Sequence, residues 1–182
     1  MPMLDRLAAE VLPLLNAVAF AARAHRHQLR NDDKTPYASH VFRVCLILRH
    51  VFEIDDPCVL QAAVLHDAIE DTTTDCDDLR DQFGPEIAGW VALLSKDKRL
   101  PEEEREAAYM AGLKSAPWQV KACKLADTYD NLLDSEHLQP EKRARAVARS
   151  REYLAALDDP RLPDIVRRAW NHVHNLLDES QE

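Results

Sequence analysis

The stretch VLQAAVLHDAIEDT, Val59 to Thr72, decides how the rest of the chain is read. Val59, Ala62, Ala63, Leu65 and Ile69 recur at helical spacing, which predicts a buried helix. Into that apolar run the sequence sets His66-Asp67 and Glu70-Asp71. Four groups that titrate or bind metal are costly to bury without partners. A lone His-Asp pair is a common structural dipeptide, and a lone Glu-Asp pair commonly ends a helix near solvent. Together they predict a metal site with an acid/base beside it.

Outward from this segment, every candidate element is helical. Upstream, Leu14 to His27 carries an apolar stripe and predicts a first helix, with Pro13 near its start. Gln28 to Tyr37, QLRNDDKTPY, breaks the pattern and reads as a loop. Ser39 to His50 is helical again, and Asp55 or Asp56 is placed to cap the central helix with Pro57 in its first turn. Downstream, DTTTDCDD closes the central segment and caps a short helix that stops at Gly84. Pro85, Pro101, Pro117, Pro140 and Pro163 each open a further helical stretch. No stretch alternates like a strand. The expectation is an all-α bundle of roughly eight to nine helices, forming a single domain over residues 1–182.

Composition narrows the function. The 182 residues include 46% hydrophobic and 30% charged side chains, as in an ordinary water-soluble domain. A net charge of −9 argues against a general nucleic-acid binder, which needs a basic face. The three glycines, Gly84, Gly89 and Gly112, cannot form a phosphate-cradling G-x-G-x-x-G or P-loop. Cys45, Cys58, Cys76 and Cys123 form no C-x-x-C pair and read as reduced thiols of a cytoplasmic protein. No apolar run is long enough to span a bilayer, and MPMLDRLAAEV lacks a signal-peptide layout.

His66 and Asp67 need further ligands from other helices. His40 opens a helix directly after the loop, and Asp127 lies in KLADTYDNL on another apolar helix. Two His with two Asp make a mixed N/O set that suits Mn²⁺, Fe²⁺ or Zn²⁺ and not a soft thiolate metal. Such a set leaves coordination positions for water and a phosphate oxygen. Glu70 and Asp71 follow Asp67 by one helical turn, placed to orient or deprotonate water. Asn131, four residues after Asp127, faces the same way.

The pattern H…HD…D with HDxxED resembles the HD-domain metal-dependent phosphohydrolases. More narrowly, it resembles the hydrolase domain of the RelA/SpoT alarmone enzymes in its stand-alone form, the small alarmone hydrolase of the metazoan SpoT homologue type. The likeness is carried by AFAARAHRHQLRNDDKTPYASH, VLQAAVLHDAIEDTTTDCDDLRDQFG, DKRLPEEER and KLADTYDNL, and it spans roughly residues 16 to 155. It implies an HD-domain helical bundle and a 3′-pyrophosphohydrolase acting on a small-molecule nucleotide, (p)ppGpp or (p)ppApp, with Mn²⁺ as the usual metal. By position, His40, His66, Asp67 and Asp127 match the metal ligands. Glu70 and Asp71 match the catalytic pair, and Asn131 matches an Asn near the ribose and phosphate. Arg30 matches an Arg that stacks on the base, and Tyr153 with Arg149 matches a substrate-facing helix position. Arg30, Lys34, Arg149 and Lys98 are the cations expected to hold phosphates on an otherwise acidic surface. Three positions depart from the pattern: Asn31 where Lys is frequent, Val41 where Pro is usual, and Asp130, an acid expected near the phosphates. Two rivals are another HD nucleotidase or phosphodiesterase and a non-catalytic nucleotide sensor. The sensor would be expected to lack Glu70 or Asp71, and both are present.

Overall fold

The computed structural model describes residues 3–179, with side chains from residue 11 onward. Among the described residues there is no β-strand, and the only pairing of that kind is an isolated bridge between Leu29 and Pro36. The helices are α1 (Met3–Ala24), α2 (Ala38–His50), α3 (Pro57–Leu65), α4 (Ala68–Asp71), α5 (Cys76–Phe83), α6 (Pro85–Leu94), α7 (Glu102–Ser115), α8 (Trp118–Asp134), α9 (Pro140–Leu157) and α10 (Asp164–Glu179). A single 3-10 turn, Ser135–His137, follows α8. The all-α expectation holds.

The local stops and starts follow from side-chain chemistry. Asp56 caps α3: its carboxylate accepts from the N–H groups of Cys58 at 2.9 Å and Val59 at 3.1 Å, with Pro57 in the first turn. Asp75 and Asp78 form a reciprocal capping box at the start of α5. Gly84 ends α5 and begins α6 at φ 88°, a backbone region that side chains with a Cβ strain to enter. α1 starts earlier than the sequence pattern predicts. It runs from Met3 and ends at Ala24, with Pro13 inside it. One proline removes one donor, and the strong helix formers before it carry the helix through.

The second correction concerns the opening segment. Val59 to Thr72 is not one continuous helix; α3 stops at Leu65 and α4 restarts at Ala68. His66 Nδ1 engages the Ala63 carbonyl at 2.8 Å, the acceptor that the Asp67 N–H takes in an unbroken helix. Asp67 sits at φ −97°, ψ 0°, and its carbonyl accepts from the Asp71 N–H at 2.9 Å to begin the next turn. The break therefore lies at the His-Asp pair itself.

Burial explains the architecture. Every residue from Val59 to Leu65 is buried, so α3 is enclosed on all sides. α8 is buried continuously from Val120 to Thr128. α3 packs against α1, α2, α6 and α8, while α8 also meets α2, α6, α9 and α10. Leu65, Leu79, Leu113, Leu125 and Leu157 are fully buried, each contributing roughly 2 kcal/mol of hydrophobic stabilisation. No described helix is long and apolar enough to cross a membrane.

Candidate metal centre and active site

Three helical elements deliver the predicted ligands to one point. His40 comes from the first turn of α2, His66 and Asp67 from the α3–α4 break, and Asp127 from the middle of α8. His40, His66 and Asp67 each offer a ligand atom, and these lie within 4.8 Å of one another. Asp127 Oδ1 is 3.2 Å from His40 Nε2 and 3.7 Å from His66 Nε2. Asp67 Oδ2 is 3.0 Å from His66 Nε2 and 3.6 Å from His40 Nε2.

The ring orientations fit a metal. His66 Nδ1 is engaged by the Ala63 carbonyl and His40 Nδ1 by Asp130 Oδ2 at 2.7 Å. Both Nδ1 atoms therefore face an acceptor and both Nε2 atoms face the carboxylates, where a divalent ion would take them as ligands in place of a proton. His66 Nε2 is buried and makes no hydrogen bond, even with Asp67 beside it. Two imidazole nitrogens and carboxylate oxygens crowded around one point offer a mixed N/O donor set of the kind that suits a divalent metal.

Asp130, expected near the phosphates, is taken up by protein partners. It is 1% exposed, and its two oxygens hold His40 Nδ1 and, at 2.6 Å, Arg43 Nε. Three residues beyond Asp127 on α8, it is turned toward α2 and is absent from the cavity lined by Glu70 and Asp71, though it lines another, of about 230 Å³, with Arg30, His40 and Asp134. It thereby fixes the orientation of the His40 ring. Replacing Asp130 with Ala should lower divalent-metal affinity 10- to 100-fold, roughly the loss typical of such outer partners, as read by calorimetric Mn²⁺ titration.

The electrostatics of the cluster are tightly matched. Burial pushes the Asp127 carboxyl up, but Lys124, His40 and His66 outweigh it and hold the group well below the ordinary range. Lys124 Nζ donates to Asp127 Oδ2 at 2.7 Å and lies 4.2 Å from the centre of the Tyr153 ring. Burial likewise pushes Asp67 up, and His66 beside it overcomes that effect and keeps the carboxyl low. Tyr37 donates its O–H to Asp67 Oδ2 at 2.6 Å and lies 3.4 Å from Asp71 Oδ2.

Glu70 and Asp71 differ in setting. Glu70 accepts the Lys96 N–H at 2.9 Å, and burial is the main force raising its carboxyl above the usual value. Asp71 is paired with Lys98 Nζ at 2.6 Å, and its carbonyl accepts from Gln28 Nε2. Both line one cavity of about 160 Å³ together with His40, His66, Asp67 and Asp127.

A second cavity, about 210 Å³, adjoins it and shares Lys124, Asp127 and Asn131 with it. Arg30, Arg149 and Tyr153 line this neighbour. Arg30 is held by Asp134 Oδ2, 2.7 Å from its terminal nitrogen, and by Asn131 Oδ1 at 3.2 Å. Asn131 also donates to Asp127 Oδ1 at 2.6 Å. Lys34 is not brought to the others. It is exposed and lines neither cavity, because Asp32 accepts the N–H groups of Lys34 and Thr35 and folds the loop into a turn facing solvent.

Several site residues escaped the sequence reading. Lys124 had a legible signal, being three residues before Asp127 on an apolar helix face. Tyr37 had a weaker one, three residues before His40. Lys96, whose N–H holds Glu70, had none, since nothing in its spacing points to the cluster.

Residues 17–157 match the HD domain family. The chain belongs to the HD-domain family. Every predicted site residue, from Arg30 to Tyr153, lies inside the HD-domain segment. Within this family, the guanosine-3′,5′-bis(diphosphate) 3′-pyrophosphohydrolase MESH1 of Danio rerio is 43% identical over 129 residues, 70% of this chain and 72% of that protein. The Homo sapiens MESH1 is 40% identical over 136 residues, 74% of this chain and 76% of that protein. Among solved structures, a metazoan ortholog of SpoT that hydrolyses ppGpp superposes with a TM-score of 0.79 at 29% identity, covering 90% of this chain and 94% of that one. This HD-domain chain is thus similar to the metazoan SpoT homologues in both sequence and fold.

Proposed function

We propose that the chain is a single-domain, cytoplasmic, metal-dependent 3′-pyrophosphohydrolase of nucleotide alarmones, (p)ppGpp or (p)ppApp. The observation that carries this reading is the convergence of His40, His66, Asp67 and Asp127 beside Glu70 and Asp71 in one cavity. The likeness to MESH1 and to the SpoT ortholog supports the substrate class. The free cysteines support a reducing compartment.

His40, His66, Asp67 and Asp127 would hold the metal, with Mn²⁺ the one we assign. When bound, a divalent ion supplies charge neutralisation at phosphorus and lowers the pKa of water. The chain's own residues do the rest. Glu70, raised by its burial, takes the proton of the attacking water. Asp71, fixed by Lys98, orients that water. The water oxygen joins the phosphorus that carries the 3′ oxygen, the P–O3′ bond breaks, and the 3′ oxygen leaves with a proton. Pyrophosphate and the nucleoside 5′-polyphosphate are released. The nucleoside extends into the adjoining cavity, where Asn131 meets the ribose, Arg149 and Tyr153 meet the 5′-phosphates, and the Arg30 guanidinium stacks on the base.

The test is an anion-exchange product assay with Mn²⁺ and, separately, ppGpp, ppApp and a nucleoside 3′-monophosphate. Release of pyrophosphate from an alarmone, abolished by a chelator, supports the reading, and the faster substrate identifies the base. Cleavage of the 3′-monophosphate alone would move the assignment to another HD nucleotidase. Arg30→Ala should lower kcat/KM for the alarmone about tenfold, chiefly through KM, because it removes base contact and not chemistry. An unchanged KM would show that the base lies elsewhere.

A further inference from the structure

Glu106 lies on α7, outside both cavities, yet it is the junction of the cations that line them. Lys96 Nζ, from the metal-side cavity, donates to Glu106 Oε1 at 2.9 Å. Arg149, from the adjoining cavity, places a terminal guanidinium nitrogen 2.5 Å from Glu106 Oε2. Tyr153 completes the node. Its hydroxyl accepts from Lys96 Nζ at 2.8 Å and lies 3.4 Å from Glu106 Oε2. All three of these charged side chains are at least partly shielded: Lys96 is 19% exposed, Glu106 17% and Arg149 37%. Charge-assisted bonds in such a setting are short and directional, so one carboxylate fixes where two long, flexible cations point.

The geometry points to Glu106 as a positioning residue that locks Lys96 and Arg149 into a two-pronged clamp for a nucleotide phosphorylated at both its 3′ and 5′ positions. Resting on the nucleotide reading above, the inference adds what that reading lacks, a reason for selecting doubly phosphorylated ligands. Lys96 reaches the 3′ end beside the metal cluster, and its own N–H holds Glu70, so the prong and the proposed base are tied at one residue. Arg149 reaches the 5′ end. Arg149 also lies 3.6 Å from the exposed Glu152, so what the node offers phosphate is two cations fixed in place rather than surplus charge. Fixing both beforehand removes the ordering cost that flexible lysine and arginine side chains otherwise incur on binding.

The clamp is tested by calorimetry with Mn²⁺ and three probes that need no turnover: a nucleoside 3′,5′-bisphosphate, its 5′-monophosphate and its 3′-monophosphate. The wild type should bind the bisphosphate more tightly than either monophosphate. Glu106→Ala should weaken the bisphosphate about tenfold and each monophosphate by much less. In an Arg149→Ala background the same substitution should cost clearly less, because the two residues act as one unit. Glu106→Gln, nearly isosteric, carries the test if the alanine variant folds poorly by thermal melting, and should show the same selective loss. Equal weakening of all three probes, fully additive losses, or a wild type with no preference for the bisphosphate would overturn the clamp. Alarmone hydrolysis is scored separately. Absent hydrolysis with an intact bisphosphate preference would sink the proposed reaction and leave the clamp standing.

Discussion

Asp67→Ala should abolish hydrolysis, with a fall in kcat/KM on the order of a thousandfold or more. The carboxylate has several duties at one point. Its Oδ2 is 3.0 Å from His66 Nε2 and 3.6 Å from His40 Nε2, and it accepts the Tyr37 hydroxyl at 2.6 Å. Removing it takes away a metal donor and half of the negative charge that would balance the ion. Calorimetry should show Mn²⁺ binding lost or severely weakened, and a chelator should bring the wild type down to the level of the variant. The fold should survive, because α3 and α8 bury their apolar residues independently of this side chain. A variant that binds Mn²⁺ as tightly as the wild type would remove Asp67 from the ligand set.

Glu70→Gln should separate metal binding from proton transfer. The loss in kcat should be about 10²- to 10⁴-fold, the range for a general base, while Mn²⁺ affinity stays near that of the wild type. The pH dependence gives a second readout. A general base works only when ionised, and burial raises the Glu70 carboxyl above its ordinary value of 4.5. Wild-type activity should therefore be lost as pH falls through a pKa higher than that of a free glutamate. The Lys96 N–H contact and the Lys96 charge partly offset the shift. In the Gln variant that acid limb should disappear from the residual rate. An unchanged limb would assign it to another group, and a variant with full activity would leave Glu70 without a role in proton transfer.

These two residues also show how the parts legible in the sequence differ from those that were not. The helical class was readable from periodicity and punctuation. Apolar residues recur at 3.6-residue spacing, and prolines and the Asp56, Asp75 and Gly84 signals mark most boundaries, which are local effects of one chain segment on itself. The residue types that meet at the candidate centre were readable too, because His and Asp inside apolar runs have few stable fates without a partner. Even the clustering of Glu70 and Asp71 with Asp67 follows from helical spacing.

Tertiary structure decided the rest. The break between α3 and α4 arises because the His66 ring takes the Ala63 carbonyl, a choice that spacing alone does not reveal. Asp130 could equally have faced phosphate or helix α2 by its position after Asp127. Its direction is set by the packing of α2 against α8, which brings His40 and Arg43 to it. Lys34 and Arg30 lie four residues apart in one loop, yet the Asp32 turn sends one to solvent while Asp134 draws the other into the cavity. Glu106 meets Arg149 and Tyr153 because α7 packs on α9, and the loop between α6 and α7 brings Lys96 to them. Contacts between residues remote in sequence depend on how whole faces pack, and that information is spread over every core residue. The donor types of the candidate metal centre were therefore written locally in residue types and spacing, while the aim of the surrounding charges was decided by the fold.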